Sequence, residues 1–374
     1  MSPEPWLVVA ASARQLAQSA ARGGYRVAAI DWFGDLDTRA AAAQAETAAA
    51  TGALRFDPAR LLEAAGRLAP PGRCAGLVCG SGLEDAPDLL AELARGRPLY
   101  GNLPATVAAA KDPARFFPLL DELGIPHPDT RLQRPADTDG WLAKRIGAAG
   151  GEHILPAERI APGDGVGIYF QRHAPGRSLS ALFLADGRNA RVLAFSEQFA
   201  DPAPGAPHRF GGMIGPVEPP AAVAAELRRS IDRLTGALGL TGLNGMDFLL
   251  GADGPLVLEL NPRPTAALDL YDGDVPRGLF DWHVQACRGR LPEAPLPGGE
   301  VRGFAIHRAS RAFVTSAALR LPDFCSDLPA PGTAFAPGDP VCTVRAAAPT
   351  AAAAREELER RRVRIERMFL AEAA

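Results

Sequence analysis

Asp247, Glu259 and Asn261 stand in two β-like runs, residues 245–250 and 256–261, on either side of Gly251-Ala252-Asp253-Gly254-Pro255. The runs predict an antiparallel hairpin. Proline cannot donate to a ladder, so Pro255 is counted into a five-residue loop. Leu250 then faces Leu256, Asp247 faces Glu259, and period two puts Asn261 on the face of Glu259. Two opposed carboxylates repel unless a cation lies between them. Three hard oxygen donors of this kind suit Mg²⁺, which takes one or two carboxylates and completes its shell with substrate phosphates. A four-residue loop would put the two acids on opposite faces. An edge hairpin with harmless acids explains poorly why Glu259 and Asn261 interrupt an apolar strand just before Pro262.

A second candidate is Trp141-Leu142-Ala143-Lys144-Arg145-Ile146-Gly147-Ala148-Ala149-Gly150-Gly151. It predicts a strand ending in a glycine turn whose N–H groups can wrap phosphate oxygens, with Lys144 at the mouth. It is not a P-loop, because no G-x-x-x-x-G-K-[ST] occurs. Among the 40 basic residues only Lys111 and Lys144 are lysines. A composition dominated by Ala, Gly, Pro and Arg replaces Lys by Arg wherever positive charge suffices. A lysine that survives is a candidate for work needing a compact, rotatable ammonium, chance being the alternative. None of the histidines (His127, His153, His173, His208, His283, His307) falls into a ligand pattern. Residues 211–216 read either as a mobile loop over an acceptor site or as a plain surface connection. Asp31, at the end of a β-like run, reads as a cap on the following turn, contact with a substrate hydroxyl being the alternative.

The elements that must position these residues follow from periodicity. Residues 6–11, 13–22 and 25–30 predict strand, helix and strand, the start of an open parallel sheet. A further strand at 77–78 and helix at 86–94 continue it, and no dinucleotide G-x-G-x-x-G is present. Residues 106–123 predict one amphipathic helix or two abutting ones, carrying Lys111. Short strands with tight turns are expected over 141–184, and a helix over 221–238 stopped by Gly239. A helix is expected over 277–288, a Pro/Gly boundary at 292–299, strands at 301–307 and 341–345, and a terminal helix near 350–370.

Composition excludes several classes. A net charge of −3 offers no basic stripe for nucleic acid. No apolar run reaches the roughly 18 residues that span a bilayer. Met1 leads into Ser-Pro-Glu-Pro without a signal pattern, and five scattered cysteines suit reduced thiols, so a cytoplasmic location is expected.

The order of these segments resembles the ATP-grasp superfamily, ligases that grip ATP between two α+β lobes. That order is a Rossmann-like lead domain, a lysine-bearing helix, a lysine strand with a glycine loop, an adenine-contacting strand, and a D…E-x-N pair of metal-binding strands. Here it is matched by residues 1–100, Lys111, Lys144 with 147–151, residues 167–172, and Asp247…Glu259-Leu260-Asn261. The resemblance covers about residues 1–290 and implies an α/β and α+β fold with a small β-rich C-terminal region. The implied units are a Rossmann-like domain (1–103), an N-lobe (104–184), a C-lobe with the metal site (185–292) and the C-terminal region (293–374).

Carried over by position, the resemblance implies that Lys111, Lys144, Gly147, Gly150 and Gly151 bind the ATP phosphates. Backbone near Gln171, Arg172 and Ala174 reads adenine, and Asp247, Glu259 and Asn261 hold Mg²⁺. Arg263, with Lys144, steadies the transferred phosphoryl group. Gln171 stands where Glu is usual and Ser178 where an acid meets the ribose, which bears on nucleotide preference. The implied reaction joins a small-molecule carboxylate to an amine through an acyl phosphate, in a chain compatible with a homodimer. An ATP-grasp carboxylase, a kinase-like enzyme or a non-catalytic nucleotide-binding protein are the alternatives. Ser12-Ala13-Arg14 with Asp31-Trp32-Phe33-Gly34-Asp35 is similar to a narrower group, ATP-grasp proteins of tetrahydromethanopterin and methanofuran-type C1-carrier pathways in methylotrophic bacteria. That similarity implies glutamate addition to an amine such as tyramine.

Overall fold

Short apolar runs alternating with helices build the first unit: β1 (Trp6–Val9), α1 (Arg14–Arg22), β2 (Val27–Asp31), α2 (Leu36–Ala41), β3 (Gln44–Thr47), α3 (Pro58–Leu68), β4 (Gly76–Cys79) and α4 (Pro87–Ala94). The computed structural model describes residues 4–161, 163, 166–293, 296 and 299–372. Residues 1–3 of the polar start, and 294, 295, 297 and 298 of the expected boundary, lie outside the described residues. The four strands are parallel in the order β3-β2-β1-β4. Every residue of β1 and β2 is buried, as a sheet covered on both faces requires. Asp31 accepts from the N–H groups of Ala13, Phe33 and Gly34 at 3.4, 3.2 and 2.7 Å, so it caps the turn after β2 as expected.

The amphipathic stretch is two helices, α5 (Pro104–Lys111) and α6 (Pro113–Glu122). Pro113 keeps Asp112 out of the helical region (φ −83, ψ 111), and the Asp112 carboxylate caps α6 through the Ala114 N–H at 2.9 Å. The break leaves Lys111 as the last residue of α5. A small antiparallel sheet follows, from β5 (Thr130–Arg131), β6 (Trp141–Arg145), β7 (Leu155–Pro156) and β8 (Ile168–Arg172), in the order β5-β8-β6-β7.

The central element is an eight-stranded sheet. Its members are β9 (Arg177–Asp186), β10 (Ala190–Ala200), β11 (Phe210–Gly215), then, after α7 (Ala221–Leu238), β12 (Thr241–Gly251) and β13 (Gly254–Asn261). Past α8 (Leu268–Tyr271) and α9 (Gly278–Cys287), the chain returns as β14 (Val301–Arg308). A two-stranded pair, β15 (Phe313–Val314) with β17 (Ala334–Phe335), flanks β16 (Cys325–Ser326), and β18 (Pro340–Ala348) and α10 (Ala351–Glu372) close the chain. The order is β13-β12-β9-β10-β11-β14-β18-β16, so strands after residue 300 extend the same sheet that carries the expected metal residues. β9 shows the period of two. Leu179, Ala181 and Phe183 pack under Leu227, Ile231 and Leu234 of α7, while Leu182 and Leu184 meet Leu279, Phe280 and Val284 of α9. Each such Leu, Ile or Phe contributes about 1.5–3 kcal/mol by burial, which holds α7 in place more firmly than its propensity. Gly239 ends α7 with φ +63, as the stop signal predicts.

Two expectations are corrected. The β12–β13 hairpin turns on Ala252 and Asp253 alone, with Gly251 paired to Gly254 and Leu250 to Pro255. Pro255 is tolerated inside β13 because β13 is the sheet's edge. A bulge between Asp247 and Phe248, with Leu258 as the extra residue, then restores the expected pairing of Asp247 with Glu259. The second correction concerns 211–216, which is neither a loop nor a surface connection. β11 is an interior strand paired to β10 and β14. Its glycines answer to close neighbours: a Cβ on Gly212 would lie 2.1 Å from the Phe304 oxygen, and one on Gly215 2.0 Å from the Tyr271 hydroxyl. Glycine there marks close approach of other groups to the strand.

Candidate active site

The Asp247–Glu259 pair forms a cross-strand row with Ser180, which pairs with Asp247 from β9. Asp247 accepts from the Gln198 amide at 2.8 Å and from the Asn261 amide at 3.0 Å. Glu259 and the Asn261 carbonyl both accept from the Lys111 ammonium, at 3.0 and 2.9 Å. Burial, then Glu259, pushes the Asp247 carboxyl up; burial would also raise Glu259, but Lys111 and Lys144 outweigh it and hold that carboxyl low. This is the signature of two acids facing one another with a cation needed between them. A cationic group already sits on two of the three expected metal ligands, and all three donors are hard oxygens. The residues therefore fit Mg²⁺, which asks few ligands of the protein.

Lys144 reaches the same site from β6. It is 7% exposed and donates to the Gln171 carbonyl at 2.6 Å, while the Gln171 amide donates to Thr130 at 3.1 Å. Burial pulls the Lys144 ammonium down to about 8, against Glu259 and Asp247, which favour its charge. Arg263 lies between Glu84, which it meets in a short ion pair, and the Asn261 carbonyl at 3.4 Å. Burial would raise Glu84, but Arg263 and Lys111 hold its carboxyl below the usual range.

The glycine loop is bound at both ends. Gly147, Gly150 and Gly151 have φ of +72, +79 and +74. A Cβ on Gly147 would lie 2.8 Å from Asp85 Cα, and one on Gly151 2.0 Å from the His208 oxygen. The Gly150 carbonyl accepts from the Phe210 N–H at 2.8 Å. On the expected adenine strand, the Arg172 N–H is taken by the Asp129 carbonyl and the His173 N–H by Gly140, both at 2.8 Å. The Arg172 side chain turns outward, over the Trp141 ring. Ser178 donates to Gln198 at 3.3 Å and so joins the row behind Asp247.

The expected site residues Lys111, Lys144, Gly147, Gly150, Gly151, Gln171, Arg172, Ala174, Ser178, Asp247, Glu259, Asn261 and Arg263 line one cleft of about 1430 Å³. Sequence reasoning missed Glu84, Ser180 and Gln198. Ser180 was reachable through the β9–β12 register, but Glu84 carries no local signal, because its partner is 179 residues away. His153, His173 and His208, read as ordinary residues, also line the cleft, and burial pulls the His153 imidazole down to about 4.

Residues 110–267 match the ATP-grasp domain family. The chain is 26% identical over 212 residues to the carbamoyl phosphate synthase large chain of Rubrobacter xylanophilus, an alignment covering 50% of this chain and 20% of that one. It therefore spans about a fifth of that relative's length. Among solved structures, the biotin carboxylase domain dimer of Hydrogenobacter thermophilus 2-oxoglutarate carboxylase, bound to MgADP, ADP and bicarbonate, is similar with a TM-score of 0.71. The identity is 12%, covering 96% of this chain and 89% of that one. The L-amino acid ligase of Bacillus licheniformis is similar with a TM-score of 0.71 at 13% identity, covering 96% and 98%. The chain has the mixed α/β ATP-grasp fold. The matched segment, residues 110–267, is an ATP-grasp domain, and the fold around it is that of the similar structures.

Proposed function

We propose that this protein is a ligase that forms an amide from a small carboxylate and an amine, releasing ADP and phosphate. The observation that carries the reading is the row Asp247–Glu259–Asn261 with Lys111 bonded to two of its members and Lys144 buried in the same cleft. The carboxylate oxygen attacks the γ-phosphorus, ADP leaves, and an acyl phosphate results. The amine nitrogen then attacks the acyl carbon, phosphate departs and the nitrogen gives up its proton. Mg²⁺, when bound, neutralises charge on the phosphate oxygens. Lys111 and Lys144 are assigned to the phosphates, Gly147, Gly150 and Gly151 to their backbone cradle, and Arg263 to the transferred group. Asp247, Glu259 and Asn261 are assigned to the metal, and the wall formed by Gln171, Arg172 and Ala174 to the adenine. Such a transfer is positioning and charge stabilisation, so it asks for no nucleophilic side chain.

The finer reading, from the 12–14 and 31–35 segments, makes glutamate the carboxylate donor in C1-carrier cofactor synthesis. A reducing, cytoplasmic setting goes with it, supported by five cysteines that are all free. No helix among the described residues is long and apolar enough to cross a membrane. The same reading includes a homodimer, the assembly of the Hydrogenobacter domain, which sedimentation would detect.

ADP release measured across paired carboxylates and amines tests the proposal. Amide formation that needs both partners is expected, and Glu259→Gln should lose about a hundred- to a thousandfold in turnover, the order seen when one charge-stabilising group is removed. Stimulation by bicarbonate alone would assign a carboxylase, and a Glu259→Gln protein at full rate would remove the metal assignment.

A further inference from the structure

At the end of the cleft formed by the N-terminal sheet, five carboxylates surround a single buried cation, Arg14. Four are accounted for. Asp31 caps its turn through three backbone N–H groups. Asp37 accepts from the N–H groups of Asp327 and Leu328 at 2.8 and 3.0 Å. Asp269 and Asp327 share the Arg14 guanidinium, at 2.9 Å each. Asp35 is the fifth. It precedes α2 but does not cap it, and among the described residues no hydrogen bond or ion pair reaches its carboxyl. Yet it is only 6% exposed, and it lines the cleft.

A buried acid without a partner costs free energy that the fold elsewhere avoids. Arg14 relieves this only in part, because its fork is already closed on two other acids. Burial, with Asp327, Asp31 and Asp37 nearby, pushes the Asp35 carboxyl up to about 8. A cation arriving from the cleft would reverse that push. The cleft that Asp35 lines also has an open apolar lining: Phe33, two residues before it, is 37% exposed and Leu54 is 50% exposed, and Trp32 joins them. One uncommitted carboxylate is too few oxygens for a divalent metal ion. An anion would be repelled by the surrounding acids. One carboxylate in a cleft with aromatic and aliphatic lining complements an ammonium on an apolar stem.

We propose that Asp35 is the counter-ion for the ammonium of a primary-amine substrate whose apolar body lies against Phe33 and Leu54. The proposal rests on the carboxylate–amine ligase reading, and Asp35 acts in it as a binding residue.

Calorimetric titration of the full chain with phenethylamine, in the presence of MgATP, is the test. 2-Phenylethanol and 3-phenylpropionate serve as the neutral and anionic controls. Phenethylamine should bind best, and Asp35→Asn should weaken it at least tenfold while leaving the 2-phenylethanol and MgATP affinities unchanged. Phe33→Ala should weaken phenethylamine and 2-phenylethanol alike, and supplies a second route should Asp35→Asn fold poorly. Equal binding of phenethylamine to wild type and Asp35→Asn, or none to wild type, overturns the proposal. Binding as expected with no amide formed from any carboxylate supports the site and removes the ligase reading. Amide formation whose amine KM is unmoved by Asp35→Asn does the reverse.

Discussion

Lys111 and Lys144 line the same cleft, but with different partners. Lys111 is paired with a carboxylate, Glu259, while Lys144 is buried against an amide, Gln171. The amide can accept a hydrogen bond without cancelling charge, and burial accordingly pulls the Lys144 ammonium down to about 8. The proton is therefore lost from the ligand-free protein as pH rises through that value, and the attraction for phosphate goes with it. ATP affinity should fall above pH 8, approaching tenfold per pH unit if the charged form alone binds. Titration of a fluorescent ATP analogue between pH 7 and 9.5 measures this. Gln171→Glu, which restores a counter-charge, should raise the Lys144 pKa and flatten the profile. A wild-type affinity constant over that range would show that Lys144 is not a phosphate ligand.

At the scale of elements, a single extra residue decides whether the acids share a face. The two-residue turn alone would set Asp247 against Leu258, with Glu259 pointing to the other side; the bulge at Leu258 undoes this. Deleting Leu258 should make the ladder regular while leaving Asp247 opposite Glu259, so the hairpin and Mg²⁺-dependent ATP binding should both survive. Circular dichroism should show little change, and a binding titration should keep its response to Mg²⁺. Loss of that response would mean that the bulge itself, and not only the pairing of the two acids, shapes the site. The same hairpin shows what can be read without a structure. The facing of Asp247 and Glu259 was legible from alternation, although the reasoned loop length was wrong and a bulge compensated for it. α7 and its Gly239 stop were legible because a helix with its cap is a local pattern. β11 was not, because its glycines answer to Phe304 and Tyr271, far away in the chain. The Glu84–Arg263 pair was hidden for the same reason.

Across the whole molecule, Arg14 joins distant parts of the chain. It lies in α1, is fully buried, and pairs with Asp269 at α8 and with Asp327 just after β16. Removing it leaves two acids without their cation, so Arg14→Met should cost about 3–5 kcal/mol of unfolding free energy. Chemical denaturation would measure the loss, and a change under about 1 kcal/mol would show that the acids find other partners. The wild-type contribution should also fade in acid. Arg14 holds the Asp327 carboxyl below its ordinary range against burial, so the stability it gives is present above the unfolded value and lost as pH drops through the folded one.

The placement of β11 has a practical consequence. The segment that matches the ATP-grasp domain family stops at residue 267, but the partner of β11 on one side is β14, which begins at Val301. A chain cut at the proline- and glycine-rich stretch near 292 would therefore end with an open row of backbone donors and acceptors along β11. Ile214 on that strand would also lose the cover of Leu358 and Val344. Such a fragment is expected to be insoluble through edge-to-edge strand addition, so the last eighty or so residues should be needed to keep the rest of the chain soluble, besides lining its cleft.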